Sequence, residues 1–170
     1  MTIKRLTGLL LAVILLTLGT NYNMVQSHAA VANSITKELS IEIINDDLYC
    51  VTTIVSNDIS SEIFFPNQTK ATNAKSGSKT VEYKNSKGKT LWYVKVSGSY
   101  TYNGSSASCT SASVYATSND SNWNISNKKS HKSSNTAYAS ATGTLKQQGI
   151  TIQTINKSVS LSCSKDGKLY

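Results

Sequence analysis

The chain is 170 residues long, 39% apolar and 15% charged, with a formal net charge of +8 at pH 7. That length suits one domain with at most a short extra segment. Beyond residue 32 the positive charge comes from lysine alone, fifteen lysines against nine acids, scattered from Lys37 to Lys168. Lacking arginine's planar fork and any dense basic cluster, this pattern argues against nucleic-acid binding.

The chain opens MTIKR and then runs LTGLLLAVILLTL from Leu6 to Leu18. This apolar run falls short of the ~20 residues that span a bilayer. A polar stretch follows and ends in the small-x-small triplet Ala30-Val31-Ala32. A charged start, a short apolar core and small residues at the end describe a secretory signal peptide over 1–32, cut after Ala32, with Ser27-His28-Ala29 offering a second site. No second apolar segment follows, so the expected product is secreted and has no transmembrane segment after cleavage.

Residues 33–78 read as an N-terminal extension and linker. ITKELSIEII and LYCVTTIV flank Asn45-Asp46-Asp47 and suit a hairpin, with a helix over 35–44 as the competing reading. The text turns polar around Pro66, and 67–78 reads as linker. From Lys79 to Tyr170 the pattern is that of strands. KTVEYK (79–84) precedes the turn text NSKGK. Trp92, Val94, Val96, Gly98, Tyr100 and Tyr102 then alternate with mostly polar residues, the period-two signature of a half-buried strand. Asn103-Gly104 reverses the chain, since both residues tolerate positive φ. On the return Ala107 and Cys109 share one parity while Ala112, Val114 and Ala116 share the other, which implies a β-bulge near Thr110-Ser111. Trp123 and Ile125 alternate, KKSHKSSN reads as a turn, and Ala137, Ala139, Ala141 and Leu145 share a parity. Gln148-Gly149 reverses into ITIQTINKSVSLSC, where a second phase slip near Thr154 is implied. About six strands with no helical period predict an all-β fold, a small antiparallel β-sandwich of immunoglobulin-like type over 79–170. Its inward positions hold much alanine and serine, so the core is thin and a covalent staple would compensate.

Three cysteines are present, Cys50, Cys109 and Cys163. In an oxidising exterior an odd count suggests one bridge and one leftover thiol. Cys109 and Cys163 both lie in strand-like text and form the preferred pair; Cys50–Cys109 and Cys50–Cys163 stay open. Residues 79–170 resemble a group of small secreted proteins of Gram-positive bacteria. The resemblance rests on KTVEYKNSKGKTLWYVKVSGSYTYNGSSASCTSASV, the W-x-I-S text at Trp123, KSHKSSNTAYASATG and TINKSVSLSCSKDGKL. It implies a secreted β-sandwich with paired cysteines and no known catalytic residues, and it supports the Cys109–Cys163 pairing while leaving Cys50 outside.

The chemistry-bearing residues form no familiar machine. His131 is the only histidine after residue 32, set among lysines, where a solvated position is the expectation. Zinc needs three or four convergent ligands at characteristic spacing, and none are offered, so no metal or cofactor is expected. Gly88-Lys89-Thr90 resembles the end of a phosphate loop, but Tyr83 stands where the first glycine belongs. Glu82, Asp120 and Asp166 are the carboxylates an acid-based hydrolase would draw on, with no sign of convergence. The aromatics are more informative. Trp92 and Trp123 suit the core. Tyr93, Tyr115 and Tyr138 fall on the outward parity and form the candidate binding surface. The function expected is therefore non-catalytic, an interaction with an extracellular surface, glycan, cell-wall polymer or protein. The competing expectations are a cationic antimicrobial or toxin-like effector and, behind it, the hydrolase.

Overall fold

The computed structural model describes residues 33–58 and 72–170. Eight strands follow one another: β1 (Asn33–Asn45), β2 (Leu48–Asp58), β3 (Asn73–Asn85), β4 (Thr90–Tyr102), β5 (Ala107–Ser118), β6 (Trp123–Ser133), β7 (Thr136–Gln147) and β8 (Ile150–Ser162). They form two antiparallel sheets, β1-β2-β3-β4-β5 and β6-β7-β8. The all-β sandwich is as expected: β3 to β8 are the six strands foreseen from residue 79 onward, and β1 and β2 bring the count among the described residues to eight. Every hydrogen-bonded neighbour is also the neighbour in sequence. Each sheet is therefore a simple meander, and among the described residues there is no Greek-key crossing of the immunoglobulin-like kind.

Of residues 33–78, residues 59–71 lie outside the described residues, and the described parts join the five-stranded sheet. The expected hairpin forms β1 and β2, and β2 pairs with β3 over ten residues, from Leu48↔Asn85 to Asn57↔Ser76. The latter part of the presumed linker opens β3 instead, because Ser76, Gly77 and Ser78 pair with Ser99, Gly98 and Ser97 of β4. The KKSHKSSN text is likewise strand. His131 lies in β6 opposite Tyr138, and only Ser134 and Asn135 turn the chain. An edge strand wet on its outer face needs no apolar alternation, so its sequence looks like a loop.

The local turn and bulge chemistry follows the sequence closely. Asn103 Oδ1 accepts the N–H groups of Ser105 and Ser106, and Gly104 takes φ of 78°. Gln148 and Gly149 are left-handed at 49° and 80°, the geometry a two-residue hairpin needs. Between Ser99↔Ser111 and Tyr100↔Cys109 the unpaired residue is Thr110, the bulge foreseen there. The second slip leaves Ile152 unpaired, two residues before Thr154.

Bulk and space are divided between the sheets. The five-stranded sheet supplies Tyr83, Trp92, Val94, Val96 and Tyr100; the facing β7 supplies Ala137, Ala139 and Ala141. Tyr83 and Trp92 stack at 4.3 Å and 5°, and Trp92 meets Trp123 at 5.8 Å. Gly143 is required below this stack, since a Cβ there would lie 2.6 Å from Trp92 Cε2. Tyr100 crosses between the layers and donates its hydroxyl to the Leu161 carbonyl at 2.6 Å.

The expected Cys109–Cys163 bridge is not formed. All three cysteines are free thiols and buried. The fold does bring the pair to one end, where the Cys109 and Cys163 N–H groups donate to the adjacent carbonyls of Ser134 and Asn135. Each thiol is satisfied separately, Cys109 Sγ donating to the Ser111 carbonyl at 3.2 Å and Cys163 Sγ to that of Ser164 at 3.4 Å. Burial pushes both thiols above their ordinary pKa. The staple that a thin core seemed to require is replaced by three large aromatic rings packed against alanine and glycine.

Candidate functional site

Outward Tyr93, Tyr115 and Tyr138 do not share one surface. Tyr93 (β4) and Tyr115 (β5) stand on the outer face of the five-stranded sheet; Tyr138 (β7) stands on the outside of the other sheet, stacked on His131 at 4.6 Å and 4°. Parity tells which residues point outward but not which of the two outer faces they join. His131 is exposed, with this ring as its neighbour rather than a nucleophile.

Tyr93 and Tyr115 form a diagonal cross-strand pair. Tyr93 is opposite Thr117 and Tyr115 is opposite Lys95, so the two rings meet across the strand gap at 5.8 Å and 35°. Desolvation and the neighbouring Tyr115 hydroxyl push the Tyr93 phenol above its ordinary pKa. Tyr115 remains 57% exposed, which leaves a ring face for a partner. One side of the pair is walled by Glu82, opposite Tyr93 on β3, whose carboxylate is held by Lys84 at 3.1 Å.

On the other side the same face sinks into a shallow trough of about 280 Å³. Ser76 and Ser78 (β3), Ser97 and Ser99 (β4), and Ser111 and Ser113 (β5) line it, with Lys95 at the tyrosine end. The cause is the register: Ser76↔Ser99↔Ser111 and Ser78↔Ser97↔Ser113 are two rows of small side chains running straight across three strands. Small hydroxyls on a flat sheet leave a groove, and larger residues on flanking rows make its walls. Sequence reading found the tyrosines but not the trough, because the serines become one feature only through cross-strand register.

A larger hollow of about 510 Å³ lies at the end where the β1–β2, β3–β4 and β5–β6 turns converge, with Leu48, Leu145 and Trp123 among its lining. Many of its polar groups are committed to the turns themselves. Asn45 Oδ1 accepts from Asp47 N–H, Asn85 Oδ1 from Lys87 and Lys89 N–H, and Asp120 Oδ1 from Asn122 N–H. That Asn122 bond, opposed by partial desolvation and aided by Lys89 at 3.2 Å, holds the Asp120 carboxyl below its ordinary pKa. The three carboxylates of the hydrolase reading stay apart: Glu82 on the outer sheet face, Asp120 at this turn end, and Asp166 in the C-terminal turn at the opposite end, beside Lys165. Among the described residues no group of three His, Cys, Asp or Glu side chains is placed to hold a metal ion.

No protein-family model, curated protein or solved structure matches the chain.

Proposed function

We propose that this is a secreted, non-catalytic protein that binds an extracellular polysaccharide along the outer face of its five-stranded sheet. The observation that carries the reading is the Tyr93–Tyr115 ring pair set at the end of the serine-lined trough. A pyranose ring has an apolar C–H face and an equatorial fringe of hydroxyls. The tyrosine faces suit the first, at a low entropy cost because the rings have few rotatable bonds. The serine hydroxyls, each able to donate and accept, suit the second. A flat groove crossing three strands suits an extended chain better than a single sugar. Among the described residues lining the trough Lys95 is the one that carries charge, and neighbouring Glu82 is paired with Lys84, which favours a neutral polymer over a strongly anionic one.

The test is retention on insoluble cell-wall polysaccharides and on a glycan array. Binding that falls about tenfold in Tyr115→Ala, a loss of roughly 1.4 kcal/mol, is the expected result. Tyr138→Ala, on the opposite face, is expected to bind as the parent does. Failure of the parent chain to bind any polysaccharide, or a larger loss at Tyr138 than at Tyr115, would refute the reading.

A further inference from the structure

Charge is divided unevenly between the two sheets. Residues 33–122, which build β1 to β5, hold eight lysines and eight acids and are neutral. Residues 123–162, which build β6, β7 and β8, hold five lysines and no aspartate or glutamate. The five-stranded sheet and its turns set lysines beside carboxylates, Lys84 at 3.1 Å from Glu82 and Lys89 at 3.2 Å from Asp120. In the three-stranded sheet two lysines are engaged at the edges. Lys132 Nζ donates to the Thr110 carbonyl at 2.8 Å, and Lys157 Nζ lies 3.7 Å from Glu42 Oε2. The other three, Lys128, Lys129 and Lys146, are exposed and have no carboxylate partner among the described residues.

Register decides what stands on the outer face of this sheet. Ala137, Ala139 and Ala141 of β7 point into the core, so the alternate residues Tyr138 and Ser140 point outward with their cross-strand partners. Five outward rows cross the three strands, from Ser133↔Thr136↔Ser162 to Asn124↔Thr144↔Thr154. None of their paired positions holds an aliphatic or acidic residue. Lys129 stands in the row Lys129↔Ser140↔Ser158, next to the row His131↔Tyr138↔Ser160. In the bulge between Ser126 and Lys129 strict alternation fails, and Lys128 and Lys129 are both exposed. On the far side of Lys129 the polar groups are already tied together, Asn127 Nδ2 donating to Thr142 Oγ1 at 3.3 Å and Thr142 Oγ1 to Asn156 Oδ1 at 2.7 Å. The free hydroxyl donors are therefore those of Ser140, Ser158 and Ser160, beside the lysines.

We propose that the outer face of the three-stranded sheet binds a phosphate-bearing polymer, a flexible polyanion joined by phosphodiesters. Charge complementarity chooses the occupant. A sheet with five lysines and no acid repels a cationic partner and concentrates an anionic one at its surface. A lysine ammonium acts as a point charge and a serine hydroxyl donates one bond, which suits a phosphodiester that accepts from several directions. A planar carboxylate is met best by arginine's fork, and beyond residue 32 the chain has no arginine. The lack of aliphatic residues in the outward rows argues against an anionic membrane, which takes up an apolar face. Stacking of Tyr138 on His131 argues against nucleic acid, whose bases need free aromatic faces. This surface is on the opposite side of the sandwich from Tyr93 and Tyr115. One consequence, which rests on the polysaccharide reading while the phosphate face does not, is that one molecule would join a neutral polymer to an anionic one.

The test is titration of the parent chain with long-chain inorganic polyphosphate at low and at physiological ionic strength, with circular dichroism to establish that each variant keeps its strands. Binding that weakens as salt rises is expected, because each phosphate contact releases a counterion. Lys128→Glu with Lys129→Glu should weaken it about tenfold or more. Lys87→Glu with Lys89→Glu makes the same change of net charge in a turn of the five-stranded sheet. At physiological ionic strength, where screening acts over about 8 Å, that second pair should cost less than about threefold. The proposal is overturned by no binding of polyphosphate at either ionic strength, or by equal losses in the two pairs. It is also overturned by polyglutamate bound as tightly as polyphosphate, or by tighter binding to single-stranded DNA or to vesicles of equal parts phosphatidylglycerol and phosphatidylcholine. Polysaccharide retention that depends on Tyr115 should be unchanged in Lys128→Glu with Lys129→Glu, so the two readings fail separately.

Discussion

The inner face of β4 carries Trp92, Val94, Val96 and Tyr100, whereas β7 across the core offers Ala137, Ala139, Ala141 and Gly143. Two sheets of equal side-chain size would pack with the usual interdigitation of medium residues. Here one sheet contributes the volume and the other contributes the room for it, so the backbone of β7 approaches the aromatic stack closely. The lesson is that a face rich in alanine is not a weak core when its partner face is rich in tryptophan and tyrosine. It also explains why buried thiols suffice where a covalent staple was expected: burial of apolar area, at about 25 cal/mol per Å², comes from a few large rings instead of many aliphatics.

The sharpest way to break this division is to remove the volume. Trp92→Ala deletes the ring that touches Tyr83, Trp123 and Gly143 at once, and a loss of about 3–5 kcal/mol is expected in chemical denaturation. A loss under about 1 kcal/mol would mean that the alanine side collapses to fill the gap and that the pairing is not specific. Removing the room is the complementary change. Gly143→Ala puts a methyl 2.6 Å from Trp92 Cε2, and about 1–3 kcal/mol of destabilisation is expected from overpacking. Pairing it with Trp92→Ala should cost less than the sum of the two, since the second change relieves the clash.

Tyr100→Phe keeps the ring but removes the hydroxyl that reaches the Leu161 carbonyl on the other sheet; about 1 kcal/mol is expected. The same contact has a pH signature. Burial pushes the Tyr83 and Tyr100 phenols well above the ordinary tyrosine pKa of about 10. A proton held more tightly in the folded chain than in the unfolded one stabilises fully below the unfolded pKa and is lost as pH rises beyond it. Stability should therefore fall above about pH 10, with the tyrosinate absorbance of these two rings appearing together with unfolding. Titration of all tyrosines before any loss of strand signal would contradict this. The smallest expected effect is a null one. Native protein should react slowly with a thiol alkylating agent, and unfolded, unreduced protein should take up three equivalents, one for each free cysteine. Uptake of one equivalent would reinstate a bridge.

Much of the local structure is legible in the residues themselves. Asn103-Gly104 and Gln148-Gly149 make turns because those residues adopt left-handed backbone, and the parity break after Cys109 forces the bulge at Thr110. Trp92 and Trp123 are core, as size and parity require. The strand in KKSHKSSN escapes notice because wet edge residues carry no alternation, and β1 and β2 look like an appendage because a polar connection separates them from β3. Half the candidate site is in the same position: Tyr93 and Tyr115 are visible as outward residues, yet Tyr138 looks identical and belongs to the opposite face.

Period, turn residues and parity thus determine that this chain is all β, where it reverses, and which side of each strand is wet. These are consequences of backbone sterics and of water, acting within a few residues. What the tertiary structure alone decides is which strands are neighbours, and in what register. Those choices gather six serines from three strands into one trough, separate Tyr138 from the other two tyrosines, and bring the edges of β5 and β6 together. They depend on volume matched across the two layers, on Trp92 finding Gly143, and no window of sequence contains both sides of that match.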